Sequence, residues 1–352
     1  MRPVSVSQLE PGVILGRTIY GEDGRILLSK GTQLKESYIQ KLSMIKIPFV
    51  YLEDEHIKDI EVTDVIDDRT RINAVQLTRK TMEKVIAGSN FELKDVQVSV
   101  DKIIDDVLAA GGLINLIDPR TEETYLFGHS VNVCVLALMC GKAFGFNQLE
   151  LKHLGLGAFL HDLGMGKINV KILVKEDKLT PEELTEVKGH PMAGFDELRN
   201  YRELSLLASH CALQHHERWD GTGYPRGLKS DAIHLYARIV AVADVFDALL
   251  SERPYRRRMK PYEAVEYIQG HAGICFDPEV VGKFLSNIAV YPMGSLVKLN
   301  TGEKGVVVDV NKSFPARPVV KVITDKTGGM LRNFHEIDLV KHPAVLVQEV
   351  LE

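Results

Sequence analysis

The chain has 352 residues, a formal net charge of −5, 45% hydrophobic and 26% charged residues. That balance belongs to an ordinary soluble protein, and the length predicts two or three domains. The negative charge offers no general case for a nucleic-acid polymer as partner. The first residues lack the charged-then-apolar build of a signal peptide, and no run reaches the ~18 apolar residues of a membrane helix. A cytoplasmic protein without a membrane span is expected. Cys134, Cys140, Cys211 and Cys275 have no CxxC spacing and sit among apolar residues, the pattern of reduced core thiols.

Residues 1–60 read as a small α/β regulatory module. Val13 to Tyr20 and Arg25 to Ser29 are predicted strands around the turn Glu22-Asp23-Gly24. Lys35 to Met44 has helical periodicity, and Ile47 to Leu52 closes as a strand. No catalytic set stands there, so sensing or packing is its expected role. Residues 61–118 comprise the end of an acidic linker (Glu53 to Asp68) and two helices, Arg69 to Ala87 and Leu93 to Ala110. Val75, Met82 and Val85 mark a buried stripe on the first, and Val96, Val100, Ile103, Ile104 and Val107 on the second. The pair either packs on the domain that follows or joins a second chain in a homodimer.

Residues 119–289 are helical almost throughout. Thr180-Pro181-Glu182-Glu183 is a helix start, with a hydroxyl cap, proline at the first position and glutamate three residues after the cap. Pro191 ends that helix and lets another begin, which puts His190 at a junction. Residues 290–352 change to β-branched runs, Ser295 to Leu299, Gly305 to Val310 and Val319 to Ile323, divided by turn residues. They predict a small SH3-like β-barrel used for interaction or packing. The fold class is multidomain and mainly α.

Eight of the twelve histidines lie between His129 and Asp244. His129, the doublet His161-Asp162, His190, the doublet His215-His216 and Asp244 form a candidate metal set over five predicted helices. Neutral imidazole with carboxylate and no thiolate suits Fe, Mn, Zn or Ni better than Mg or Ca. Neighbouring side chains on a helix diverge by about 100°, so each doublet can aim at one point only at a helix end. Two ions about 3.5–4 Å apart with a bridging carboxylate solve this, and Asp162 has the two oxygens to bridge them. Gly164 and Gly166 predict that the helix carrying Asp162 ends there, and Gly155 and Gly157 permit close helix packing. The remaining histidines read as surface or satisfied core residues.

The stretch from Tyr125 to Val281 resembles the HD-GYP family, a branch of the HD metal-dependent phosphohydrolases. The resemblance is carried by His129-Ser130-x-Asn132-Val133, His161-Asp162-Leu163-Gly164, Lys188-Gly189-His190-Pro191 and His215 through Pro225, which reads HHERWDGTGYP. Ala243 to Leu249, Arg253-Pro254-Tyr255-Arg256 and Phe276-Asp277-Pro278 complete it. It implies an all-helical HD-GYP bundle over 119–289 and hydrolysis of cyclic di-GMP to pGpG and on to GMP. It implies metal ligands at His129, His161, Asp162, His190, His215, His216 and Asp244 for two divalent ions, Fe or Mn first, with Ni, Co or Zn as alternatives. His161 and Asp162 are then also catalytic, and Tyr224, Arg253 and Arg256 lie near the phosphates. Metal acidifies water to a pKa of about 7, and arginine holds a phosphate oxygen pair.

Many family members read HDxGK, but Met165 stands at the lysine position. Lys167, two residues on, is the candidate to replace that lysine. Members with a third metal carry glutamate where this chain has Tyr125, so a two-metal site is expected, with Glu123 a remote substitute. Asp247 either orients a ligand histidine or pairs with a packed helix. Trp219 stacks on guanine or packs, Glu217 and Asp220 fix the loop by hydrogen bonds, and Lys188 is solvated. The C-terminal segment lacks the RxxxR and [D/N]xSxxG elements of PilZ domains, so no second nucleotide site is expected there. Two other readings stay open: a phosphohydrolase of another cyclic dinucleotide such as cGAMP, and a non-catalytic adaptor that binds cyclic dinucleotide or a GGDEF-type synthase.

Overall fold

The stripe expected on the second helix of the pair is buried throughout. Val96, Val100, Ile103, Ile104 and Val107 line the inner face of α3 (Leu93–Ala109). The computed structural model describes residues 1–21, 24–45, 47–53, 64–110, 125–173, 175, 177–251 and 258–351. Two units divide them: a helical one from Val65–Gly111 and Tyr125–Asn287, and a strand-rich one from Met1–Asp64 and Ile288–Glu352.

The helical unit is wrapped around α4 (Tyr125–Phe144), whose residues from Val131 to Cys140 are all buried. Its window Phe127–Phe144 is long and apolar enough to cross a membrane, with mean hydropathy 1.3, against the expectation that no run reaches that length. Yet 78% of that window is buried inside the fold, as suits the central helix of a bundle. Against α4 pack α2 (Asp68–Ile86), α3, α5 (Gln148–Phe159), α10 (Leu235–Leu250) and α12 (Pro278–Leu285). The helix pair α2–α3 is therefore part of the bundle core, the first of its two expected roles.

The stripe on α2 differs from expectation by one position. Arg71, Ala74, Thr78, Thr81, Met82 and Val85 are buried, while Val75 is only partly so. Small and polar residues hold this face because it lies close against α4 and the 3-10 turn Leu163–Lys167. Helix starts follow their caps. Thr180 accepts from the Glu183 amide at 3.3 Å while Glu183 accepts from the Thr180 amide at 2.7 Å, opening α7 (Pro181–Val187). Asn147 and Glu150 form the same reciprocal pair before α5. The short α6 (Val170–Leu173), α8 (His190–Leu198), α9 (Leu206–Gln214) and α11 (Pro261–Gly270) complete the unit.

In the other unit, β1 (Arg2–Ser5) pairs antiparallel with β4 (Phe49–Leu52), and β2 (Ile19–Tyr20) with β3 (Ile26–Leu28), beside α1 (Glu36–Met44). Most of the long strand predicted from Val13 is irregular, and β1 went unpredicted. The predicted turn residues Glu22 and Asp23 lie outside the described residues. The C-terminal segment is an antiparallel sheet in the order β8-β7-β6-β5-β9, from β5 (Leu296–Leu299), β6 (Lys304–Asp309), β7 (Val319–Thr324), β8 (Met330–Asp338) and β9 (Val347–Val350). Phe49 and Tyr51 of β4 share a buried cluster with Val306 of β6, so the two chain ends have a common core.

Candidate metal centre

Both doublets sit where their helices stop, the condition that lets neighbouring side chains converge. α5 ends at Phe159, so His161 and Asp162 lie in the turn beyond it, and the helix stops earlier than the two glycines suggested. The glycines serve another purpose. A Cβ on Gly164 would collide with the His190 carbonyl and meet the Gly194 amide at 2.5 Å, so only glycine lets α8 approach the Asp162 turn. A Cβ on Gly157 would meet Cys211 Sγ at 2.5 Å, which keeps α9 close to α5. His215 caps the C-terminus of α9 and His216 follows it. His190 opens α8 at the predicted junction. His129 comes from the second turn of α4 and Asp244 from mid-α10.

These seven side chains meet. Asp162 Oδ1 lies 3.3 Å from His190 Nε2 and 3.5 Å from His215 Nε2, while Oδ2 lies 3.4 Å from His161 Nε2 and 4.0 Å from His129 Nε2. Asp244 also reaches both ways, with Oδ1 3.1 Å from His129 Nε2 and Oδ2 3.8 Å from His216 Nδ1. Two ligand groups result, Asp162-His190-His215-His216 and His129-His161-Asp162, with Asp162 in both.

The imidazole tautomers are set from behind. His161 Nδ1 donates to the Ala158 carbonyl and His190 Nδ1 to that of Val187, both at 2.7 Å. His215 Nδ1 faces the Ala212 and Cys211 carbonyls at 2.9 and 3.0 Å, and His129 Nδ1 faces Asp247 Oδ2 at 2.7 Å. Each bond holds the proton on Nδ1 and turns the Nε2 lone pair inward. Those lone pairs then crowd: Nε2 of His190 and of His215 are 3.2 Å apart. His161 Nε2 is buried without a hydrogen-bond partner. Facing lone pairs and a buried lone acceptor are costly unless a cation joins them, so the cluster fits a metal.

Charge follows the same geometry. Burial works against the Asp162 carboxylate, but the histidines that surround it, His161 first, hold it well below the usual range. Burial, then the charge of His215, pushes His216 well below an ordinary imidazole, which keeps its lone pair available. His190 moves up: burial opposes its charge, but the Asp162 carboxylate beside it outweighs that.

Asp247 is buried behind His129 and bonded to its Nδ1, which fits the first of its two expected roles. Glu217 accepts from the Arg226 and Leu228 amides at 2.8 and 2.9 Å, and Asp220 from the Thr222 hydroxyl at 2.6 Å, so both fix the loop. A Cβ on Gly223 would strike the backbone of Glu217 and Arg218, so the loop folds on itself. It sets the Tyr224 ring 4.8 Å from His216. Lys188, exposed, lies 5.4 Å over that ring. Burial first, then Asp244 and Asp162, push the Tyr224 phenol up, which makes it a lasting O–H donor. Trp219 is half-buried, with the Arg238 guanidinium 5.5 Å over its ring.

Lys167 pairs with Glu197 Oε2 at 3.0 Å and, among the described residues, forms no ion pair with a member of the cluster. Arg253, Arg256 and Glu123 lie outside the described residues. Sequence reasoning passed over Arg71 and gave Asn132 no role. A charged residue on the apolar stripe of α2, and an amide one turn after His129, were the available signals.

Residues 113–280 match the profile of the HD domain family, and residues 296–352 that of a KOW domain associated with HD domains. The cyclic di-GMP phosphodiesterase PA4108 of Pseudomonas aeruginosa is 38% identical over 227 residues, 63% of this chain and 54% of that protein. A cyclic di-GMP phosphodiesterase of Thermotoga maritima is 41% identical over 175 residues, 49% and 47% of the two chains. A 3'3'-cGAMP-specific phosphodiesterase of Vibrio cholerae is 31% identical over 216 residues, 60% and 40% of the two. The chain spans about half the length of these relatives.

Proposed function

We propose that the chain is a member of the HD-GYP branch of the HD domain family and a metal-dependent phosphodiesterase that hydrolyses cyclic di-GMP to pGpG, GMP or both. One observation carries this reading: Asp162 offers one oxygen to each of two histidine groups drawn from distant parts of the chain. The ligand set is His129, His161, Asp162, His190, His215, His216 and Asp244, for two divalent ions, Fe or Mn. When bound, such ions acidify water and neutralise charge on a phosphodiester.

The protein's own residues bind and orient. Tyr224 stays protonated and donates to a phosphate oxygen beside His216. Arg253 and Arg256 are the further phosphate partners in this proposal. The Lys167–Glu197 pair supports a packing role for Lys167, which leaves the lysine missing at Met165 without a replacement. The five-stranded C-terminal sheet is taken as an SH3-like packing module. A GGDEF-type synthase is the proposed protein partner.

The test is turnover of cyclic di-GMP by protein loaded separately with Fe, Mn, Ni or Co. Activity should vanish in His161→Ala and Asp162→Ala. Absence of turnover with all four metals would refute the proposal. The 31% identity to a cGAMP-specific enzyme supports a second reading, in which the mixed dinucleotide is the substrate. A panel of both substrates at equal concentration separates the two by kcat/KM.

A further inference from the structure

A line of buried polar groups runs from α2, outside the family motifs, to the metal centre. Arg71 Nη1 donates to Asn132 Oδ1 at 2.6 Å. Asn132 Nδ2 donates to Asp247 Oδ1 at 2.8 Å, and Asp247 Oδ2 accepts from His129 Nδ1 at 2.7 Å. All four side chains are buried; Asn132 and Asp247 are each 1% exposed.

We propose that Arg71 is a positioning residue that sets the metal affinity of His129 through Asn132 and Asp247. The proposal rests on the reading of His129 as a ligand. An amide can face either way, and here its two neighbours decide. The guanidinium requires an acceptor and the carboxylate requires a donor. Arg71 therefore locks Asn132 with its NH2 toward Asp247. Asp247 in turn stays an acceptor for His129, and the Nε2 lone pair stays aimed at the cluster. The Arg71 cation also offsets the buried Asp247 charge through one polarised amide. Removing Arg71 frees the amide to turn and loosens the ring behind the metal. Because Arg71 sits on α2, any shift of that helix against α4 is felt at His129, which gives the helix pair a direct route to the metal centre.

The experiment is metal titration of the full chain by calorimetry with Mn, together with the visible spectrum of the Co form, in Arg71→Met, Arg71→Lys, Asn132→Ala and the double variant Arg71→Met/Asn132→Ala. Arg71→Met should weaken binding at one of the sites about tenfold and shift the Co bands, with Arg71→Lys between it and wild type. The double variant should lose no more affinity than Asn132→Ala alone, because one residue acts through the other. Val107→Ala, a buried change on α3 at a residue that forms none of these hydrogen bonds, should lower Tm with unchanged affinity. Unaltered affinity and Co bands in Arg71→Met, or additive losses in the double variant, overturn the inference. If wild-type protein binds no metal, the reading of the site itself fails instead, so the two failures are separable.

Discussion

Gly164→Ala tests whether the metal centre depends on the close approach of α8 to the Asp162 turn. The added methyl would meet the Gly194 amide at 2.5 Å and collide with the His190 carbonyl, both backbone atoms that cannot rotate away. Restoring ordinary contact requires a displacement of about 1 Å. His190 Nε2 is only 3.3 Å from Asp162 Oδ1, and ligand geometry tolerates about 0.5 Å. Overpacking of this kind costs about 1–3 kcal/mol, which lowers Tm by roughly 2–12 °C in a unit of this size. Metal affinity should fall by about 10–100-fold, as when a ligand loses its support. The comparison is Gly166→Ala in the same 3-10 turn, whose methyl would meet Met82 Sδ at 2.8 Å, the flexible end of a side chain. That variant should cost clearly less. Calorimetric metal titration and thermal unfolding read both quantities. If Gly164→Ala binds metal like wild type, or if the two alanines behave alike, steric closeness at this turn does not govern the site.

Other variants test the loop and the core. Glu217→Gln places an NH2 against the Arg226 or Leu228 amide and should destabilise the loop by about 1–3 kcal/mol; steady-state kinetics should show KM for cyclic di-GMP raised about tenfold with metal content unchanged. The bonds from the Thr222 hydroxyl and amide hold Asp220 down at about 2. Its stabilising contribution is thus present above the ordinary carboxylate pKa and is lost as pH falls through about 2, so Asp220→Asn should flatten acid unfolding between roughly pH 4 and 2 in a denaturation series. Burial pushes the thiols of Cys134, Cys140 and Cys211 up, so they should resist a thiol-reactive dye in native protein and react on unfolding. Rapid labelling of all three in native protein would refute their core placement.

The residue pattern alone was enough for the helical character of the central domain, the capping box at Thr180, the stripe on α3 and the choice of seven side chains that the fold brings together. Ligand residues must carry particular atoms, and helix periodicity and caps are local, so both are written in neighbouring letters. Even the demand that His161-Asp162 and His215-His216 stand at helix ends followed from the 100° step of a helix. Distance between remote segments is not written locally, and there the expectations failed or were silent. Glycine at 164 looked like a helix stop and is a contact with α8; β1 and the shared core of Phe49, Tyr51 and Val306 could not be read from either chain end by itself. Arg71 drew no reading from the sequence, and only the packing of α2 against α4 places it on Asn132. Which lone pairs face each other, and which carboxylate oxygen serves which histidine, depends on packing between segments 25 residues apart for His190 and His215 and 115 apart for His129 and Asp244, and only the folded chain decides it.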